Sequence, residues 1–536
     1  MKYYFFIFLF VLPTITFAQK KEIVAYYPGY HKEYKINYAK NLDLNGSADK
    51  ITVLYYAFAV PMPDQAGDII PVFMHPYSAY QEIYPGEKSV DGIADSTKQL
   101  LRGQLNQLKE LKEKHPNIKI MLSIGGWGGS TYFSDAALTP ESREKFVNAC
   151  IDMYINGNLP FENGAGGKGS ATGIFDGFDI DWEFPVSGGT EETHYNINDV
   201  ENQTALFSLF RSKLDSIENK AQQPGVTNTK LFLTAAISAR VWEFWKYNFK
   251  EDQKYLDWYN VMTYDFHGAW DSITGHHTNL LSSPKDPDPL KESLDHTIKY
   301  LLDTAGVSSN KIVPGAAFYA KVWHNIDSVN FGLYQPVMQG QNKNQVDYLN
   351  YNNFSGMIYN SNDSHWDDMA MAPWFYNPVD KTFWSYDDVR SIALKARYVD
   401  AYNLRGLMFW EISGDDSTGT LVNDIYNRDT PDFTAFTQKA NNKLPSIKIT
   451  EPDNKNDFIE HSNVIIKTEV NDTDGRVVKA EFFVDGKSVG YNTVFPFDWV
   501  WFNASPGEHK INAIATDNNE GETISVPVEI RVSGQK

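Results

Sequence analysis

The sequence predicts a chain of α/β class whose main body is a closed (β/α)8 barrel of the TIM type, followed by a small all-β sandwich of immunoglobulin-like type. Three observations carry this expectation. Eight β-rich runs alternate with helical patterns, which points to a closed parallel sheet with its helices outside. One long insertion, Val322 to Ser385, interrupts that repeat between its seventh and eighth strands. Beyond Pro445 the pattern changes to short alternating strands separated by turn signals. A length of 536 residues accommodates two to four domains at roughly 100–200 residues each.

Met1 to Ala18 begin with Lys2, continue through an apolar stretch from Tyr3 to Val11 and end in Thr16-Phe17-Ala18, the small-residue pattern of a signal-peptide cleavage site. Cleavage is predicted before Gln19, which gives a secreted protein, extracellular or periplasmic. The run is shorter than the ~20 apolar residues that cross a bilayer, and no later segment reaches that length, so membrane insertion is not expected. The barrel is then expected over residues 19–440. Its strands are predicted at Ile23–Tyr27, Ile51–Ala59, Ile118–Ile124, Gly177–Glu183, Leu231–Ser238, Tyr259–Tyr264, Ile312–Tyr319 and Gly406–Trp410. Leu101, Leu105, Leu108 and Leu111 put one apolar stripe on a helix that Pro116 stops.

The insertion, at about residues 322–385, is rich in Tyr, Trp, Asn and Asp. Insertions after a barrel strand sit on the face where active sites are built, so this one is expected to wall a cleft. Helical patterning resumes from Tyr386 to Leu404. The run Gly164 to Ser170 imitates a phosphate loop, but Gly169 follows Lys168 where Ser or Thr is required, and it is read as a flexible loop. With no dinucleotide or phosphate fingerprint, an open doubly wound sheet lacks support. A linker is expected at residues 441–445 and the sandwich at 446–536, with strands such as Val464–Ile466 and Ala480–Val484 and the turn pair Asp485-Gly486. Trp499 and Trp501 alternate onto one face of a strand there, as core or as an exposed binding strip.

The chain carries 48 Lys+Arg against 68 Asp+Glu, a net charge of -20. That balance repels phosphate backbones and anionic lipid, so nucleic acid and membrane surfaces are not expected partners. Its one cysteine, Cys150, excludes an intramolecular disulfide framework and a Cys-based zinc cluster. Nothing calls for a metal or an organic cofactor, and a monomer is expected. Aromatic residues make up 14 %, with 13 Trp and 31 Tyr, enough to ask which neutral ligand they stack on.

The octet Asp176-Gly177-Phe178-Asp179-Ile180-Asp181-Trp182-Glu183 carries the chemistry. Alternate residues of a strand share a face, so Asp179, Asp181 and Glu183 point one way and, in a barrel, inward. Three carboxylates in a packed interior with no interleaved Lys or Arg repel one another and lose hydration, which makes a purely structural role costly. A metal site is the competing reading. It is weakened because no His accompanies the row and in-line strand carboxylates lie ~6.5 Å apart.

Here the sequence resembles glycoside hydrolase family 18, the family of chitinases, from about Ile23 to Arg428. The octet fits the family pattern Asp-Gly-x-Asp-x-Asp-x-Glu in full. Ser123-Ile124-Gly125-Gly126-Trp127, Met262-Thr263-Tyr264-Asp265 and Gly406-Leu407-Met408-Phe409-Trp410 agree with it in order. The resemblance implies a (β/α)8 barrel with an α+β insertion between strands seven and eight. It also implies hydrolysis of chitin or N-acetylglucosamine oligosaccharides with retention, assisted by the substrate's own acetamido group. By that analogy Glu183 is the general acid, Asp181 holds the acetamido N–H, Asp179 shares a proton with Asp181, and Tyr264 binds the acetamido oxygen. Asp265 and Met262 fall in the substrate-binding segment, with Asp265 on the leaving-group side. Ser123 and Tyr26 match residues that hold the Asp179 end of the row. Trp410 matches the floor of the cleavage subsite, and Trp127 and Trp270 match flanking platforms, with core packing as the alternative for all three.

Trp323, Trp366, Trp374 and Trp384 are candidates for further subsites. Tyr319-Ala320-Lys321 stands where many family members carry Tyr-Gly-Arg, replacing a forked donor by a point charge. Asn156 to Thr172 enters the fourth strand at its N-terminal end and is expected not to touch catalysis. His276-His277 is read as loop polarity rather than a metal pair. Two other functions are weighed: an endo-β-N-acetylglucosaminidase on N-linked glycans, and a carbohydrate-binding lectin on a dead barrel. Dead members lack the acid, whereas Glu183 is present.

Overall fold

A computed structural model of the chain describes residues 21–29, 39–221, 230–337, 346–358, 361–428, 443–473, 475–518 and 521–534. The signal peptide expected at 1–18 and the start of the linker, residues 441 and 442, lie outside them. The chain divides into two compact units, Met1–Thr430 and Pro431–Lys536.

In the first unit eight parallel strands close on themselves: β1 (Glu22–Pro28), β2 (Val53–Pro63), β3 (Lys119–Gly125), β4 (Gly177–Asp181), β5 (Phe232–Ser238), β6 (Trp258–Met262), β7 (Ile312–Ala317) and β8 (Gly406–Trp410). Each pairs with the next, and β8 pairs with β1. Both faces are covered, so the strands read as nearly continuous apolar runs. The barrel interior is packed with large rings and aliphatic groups, among them Tyr26, Tyr55, Phe58, Met121, Trp258 and Met408. The helix predicted from the leucine stripe runs Gly103–Lys114, ends two residues before Pro116, starts after Leu101 and buries Leu105, Leu108 and Leu111. The one predicted from Tyr386 runs Val389–Ala401, opened by a capping box between Asp388 and Ser391.

Several strand boundaries differ from expectation. β2 runs on past Ala59 to Pro63 and turns back into an antiparallel partner, Ile69–Phe73. The seventh strand ends at Ala317, and Tyr319–Trp323 instead opens the insertion. There it joins an antiparallel five-stranded sheet with Val346–Asn350, Ser364–Asp367, Ala372–Asn377 and Thr382–Ser385. With the short helix Ser355–Ile358 this is an α+β insertion. Of the run read as a flexible loop, Ala165–Gly167 instead forms one strand of a β-hairpin with Leu159–Glu162. It is held by Tyr80, Gln81 and Arg102, none of which belongs to the carboxylate row.

The second unit is a β-sandwich. One sheet contains Ser446–Glu451, Val464–Asn471 and Trp499–Trp501; the other is built around Val477–Val484, Gly507–Asp517 and Val528–Ser533. Strict alternation sends Ile447, Ile449, Val464, Ile466, Phe482, Ile511 and Ile530 into one core. Trp499 and Trp501 are half-buried against that core, Trp499 stacking on Phe482 and donating its indole N–H to Val489 O at 3.2 Å.

Candidate active site

Register places a polar layer across the barrel: Ser123 of β3 pairs with Asp179 of β4, which pairs with Thr234 of β5. Asp179 is fully buried and takes four hydrogen bonds. Tyr26 Oη and Ser123 Oγ donate to Oδ2 at 2.9 Å each; Thr234 Oγ1 at 2.7 Å and Asn260 Nδ2 at 3.0 Å donate to Oδ1. Burial pushes its pKa up and these bonds pull it back. Asp181 is not among the four partners, so the proton sharing implied by the resemblance is no direct hydrogen bond here. Asp181 is 4 % exposed, and its Oδ1 has no hydrogen-bond partner. Burial first, then the charges of Glu183 and Asp179, hold its carboxyl well above the ordinary range.

β4 stops at Asp181, two residues earlier than predicted, because the chain is turned by its neighbour. Ser130 Oγ donates to Asp181 O at 3.0 Å and accepts from Glu183 N at 2.9 Å, while Gly126 N donates to Asp181 O at 2.8 Å. Gly125 permits this approach: its φ is +113°, and a Cβ there would lie 2.1 Å from Asp181 O. Trp182 turns outward onto Phe133, ring centres 5.4 Å apart. Glu183 is left half-buried at the C-terminal end of β4. Burial and the nearby charge of Asp265 raise its carboxyl to about 8, with a hydrogen bond from the Trp127 backbone offsetting part of the rise.

The end of β6 supplies the opposing wall. Tyr264 rests over Gly315 and against Tyr319; burial, and then the charge of Asp181, keep its hydroxyl protonated. Met262 joins Trp410 against the barrel core. Asp265, at φ +62°, accepts from Tyr319 Oη at 2.6 Å and from Lys321 Nζ at 2.8 Å. Burial alone would raise Asp265, but Lys321 and His277 outweigh it and hold the carboxyl well below the usual range. Lys321 is wholly buried; it also donates to His267 O at 3.2 Å and sits 4.3 Å from the Trp270 ring centre and 5.3 Å from that of Tyr348. The point charge standing in for a fork thus makes one ion pair and two ring contacts.

Trp410 is half-buried, stacked on Phe58 at 5.7 Å and tilted on Tyr26 at 5.5 Å. Trp127 and Trp270 are 64 % and 53 % exposed, which removes the core alternative for both. Trp323 and Trp374 are buried among Phe383, Leu333 and Tyr376 as the core of the insertion, so they cannot line subsites. Trp366 lies 3.6 Å from the Arg390 guanidinium, and Trp384 packs on Phe354 and Phe375. His276 and His277 are buried rather than polar loop surface: His277 backs Tyr319 and Asp265, and His276 faces Trp374 and Asp367. Among the described residues no group of three or more His, Cys, Asp or Glu is placed to hold a metal, and no helix is long and apolar enough to cross a membrane.

Sequence reasoning missed Thr234, Asn260 and Tyr55, which fix Asp179 from below; Tyr55 Oη lies 2.9 Å from Thr234 Oγ1 and accepts from Asn260 at 3.0 Å. The signal was available, since polar residues inside apolar barrel strands have to find partners.

The model of glycosyl hydrolases family 18 matches residues 22–415, and that of a bacterial Ig domain matches 445–513. Chitinase A1 of Niallia circulans is 33 % identical over 348 residues, covering 62 % of this chain and 45 % of its own length. Chitinase C of Streptomyces lividans is 31 % identical over 403 residues, covering 72 % and 56 %. This chain therefore spans about half the length of these relatives. The catalytic domain of psychrophilic chitinase B from Arthrobacter TAD20 superimposes with a TM-score of 0.68 at 32 % identity, covering 77 % of this chain and 95 % of that one. With the family pattern matched across most of the chain and the closed barrel beneath it, the chain belongs to glycosyl hydrolases family 18.

Proposed function

We propose that this protein is a secreted chitinase that hydrolyses β-1,4-linked N-acetylglucosamine polymers with retention, using Glu183 as general acid and then base. The observation that carries this reading is Glu183 itself: a half-buried carboxyl raised to about 8, so that it holds its proton at neutral pH, set beside Asp181 and facing the ionised Asp265. A protonated acid is what a glycosidic oxygen needs as its bond breaks.

The substrate's 2-acetamido carbonyl attacks the anomeric carbon as Glu183 gives its proton to the leaving oxygen, forming an oxazolinium ion. The unpartnered Oδ1 of Asp181 is free to accept the acetamido N–H. Tyr264, held protonated, donates to the acetamido oxygen. Water, deprotonated by Glu183, then opens the ring from the face the leaving group occupied, and two inversions give retention. Trp410 supports the sugar that reacts, while Asp265 binds on the leaving-group side. The export pattern at 1–18 supports secretion. The likeness to proteins named as chitinases supports chitin rather than N-linked glycans as the substrate.

Product analysis by mass spectrometry tests this. Incubated with soluble chitin oligomers and with an N-glycosylated protein, the wild type should shorten the oligomers and leave the glycoprotein intact. Released glycan without shortened oligomers would assign the barrel to N-glycans, and binding without any cleavage would make it a lectin.

A further inference from the structure

Directly after β5 the chain forms a 3₁₀ helix, Val241–Lys246. Residues three apart in that geometry lie above one another. Trp242 and Trp245 therefore share a face, and that face is open: the two are 50 % and 59 % exposed, whereas Glu243, Phe244 and Lys246 are buried. Two large rings left in water on a single turn, at the end of the barrel that carries Glu183, form an apolar surface that asks for a ligand.

Both rings have charged neighbours that fix their place. Trp242 lies 5.9 Å from the Arg240 guanidinium and interacts with the largely buried carboxyl of Glu292. The same guanidinium is 5.3 Å from the Trp270 ring, and its Nη2 donates to Asp265 O at 3.2 Å. One side chain thus ties Trp242 to Trp270 and to the backbone of Asp265. Trp270 in turn lies close over Gly268, where a Cβ would come within 2.5 Å of its ring. On the other side, the Lys246 ammonium is 6.0 Å from the Trp245 ring and 5.5 Å from that of Phe184, the residue after Glu183. Lys246 is anchored by Ser187 O and Glu243, each at 2.8 Å.

We infer that Trp242 and Trp245 form a further sugar-binding strip, continuous with Trp270, that holds the leaving-group end of a long N-acetylglucosamine chain. This rests on the function proposed above, in which Asp265 marks the leaving-group side. The occupant follows from continuity and chemistry. The strip extends from Trp270, whose neighbours Lys321 and Arg240 both hold Asp265, and pyranose rings offer flat C–H faces to an indole with little loss of hydration. Rings held before the ligand arrives need less ordering on binding.

The test is calorimetric binding of an N-acetylglucosamine tetramer and octamer to the full-length Glu183→Gln protein, with and without Trp242→Ala or Trp245→Ala. Each alanine exchange is expected to weaken octamer binding about tenfold and tetramer binding several-fold less. Trp242→Phe, which keeps a ring, should recover part of the loss and guards against misfolding of the alanine variant. Octamer binding that does not change, or equal weakening for both lengths, would overturn the strip. A dimer of the full-length protein that Trp242→Ala dissociates would overturn it too, assigning the face to a second copy. Failure of the wild type to cleave either oligomer would sink the proposed function instead, while the binding comparison still reads the strip.

Discussion

Burial, and after it the charge of Asp265, sets the pH range in which Glu183 can act. A carboxyl raised to about 8 is protonated below that value and loses its proton as the pH climbs through it, so kcat/KM should fall on the alkaline side near pH 8. The charge of Asp265 is one cause of the rise, and Asp265→Asn removes it. The alkaline limb of the kcat/KM profile is then expected to move down by about one pH unit. An unmoved limb would leave burial as the sole cause. The same shift has a stability consequence. The folded protein binds the Glu183 proton more tightly than the unfolded chain does, so stability is lost as pH rises from the usual glutamate range towards about 8. Glu183→Gln cannot ionise, and differential scanning calorimetry should find it more thermostable than the wild type at pH 9, by a margin that shrinks at pH 5.

Among the elements, the junction of β7, the loop after β6 and the helix Val389–Ala401 rests on one buried ion pair. Asp387 and Lys395 are both fully buried, 2.6 Å apart, and Asp387 Oδ2 also accepts from Thr278 Oγ1 and from Ala317 N at 2.9 Å each. Removing one partner leaves an uncompensated charge, so Lys395→Met should cost about 3–5 kcal/mol in denaturant titration. Because Ala317 precedes the segment that carries Tyr319 and Lys321, loss of activity is expected with it. Much of this level was legible in the sequence. Alternation placed Asp179 and Asp181 inward, and the leucine stripe and Pro116 placed their helix. What alternation could not give was the end of a strand: β4 stops at Asp181 because Gly125, at the end of β3, and Ser130, in the loop after it, intervene, and such contacts leave no local pattern. Composition misled in the insertion for a similar reason, since Trp323 and Trp374 read the same whether they face a cleft or a core. Trp242 and Trp245 went unnoticed because exposure is a tertiary property.

At the scale of the whole molecule, two units with separate cores were visible as a change from mixed to purely alternating patterns near residue 445. The sandwich gives no support to Trp499 as part of a chitin-binding strip, because its ring fills a place over Phe482 and Gly490. Trp499→Ala should therefore lower the stability of the sandwich by about 2 kcal/mol, less than the loss from a fully buried ring, and leave hydrolysis of soluble oligomers unchanged. Undiminished stability with weaker adsorption to insoluble chitin would return the tryptophan to a binding role. The central claim is that the substrate's acetamido group and Glu183 act together with retention of configuration. The measurement that reaches it most directly is the anomeric form of the first product released from a chitin oligomer, followed by proton NMR for the wild type beside Glu183→Gln. The account predicts the β-anomer at first from the wild type, equilibrating only later, and a rate about 10²–10⁴-fold lower from the variant. An α-anomer as first product, or a variant as fast as the wild type, would contradict it.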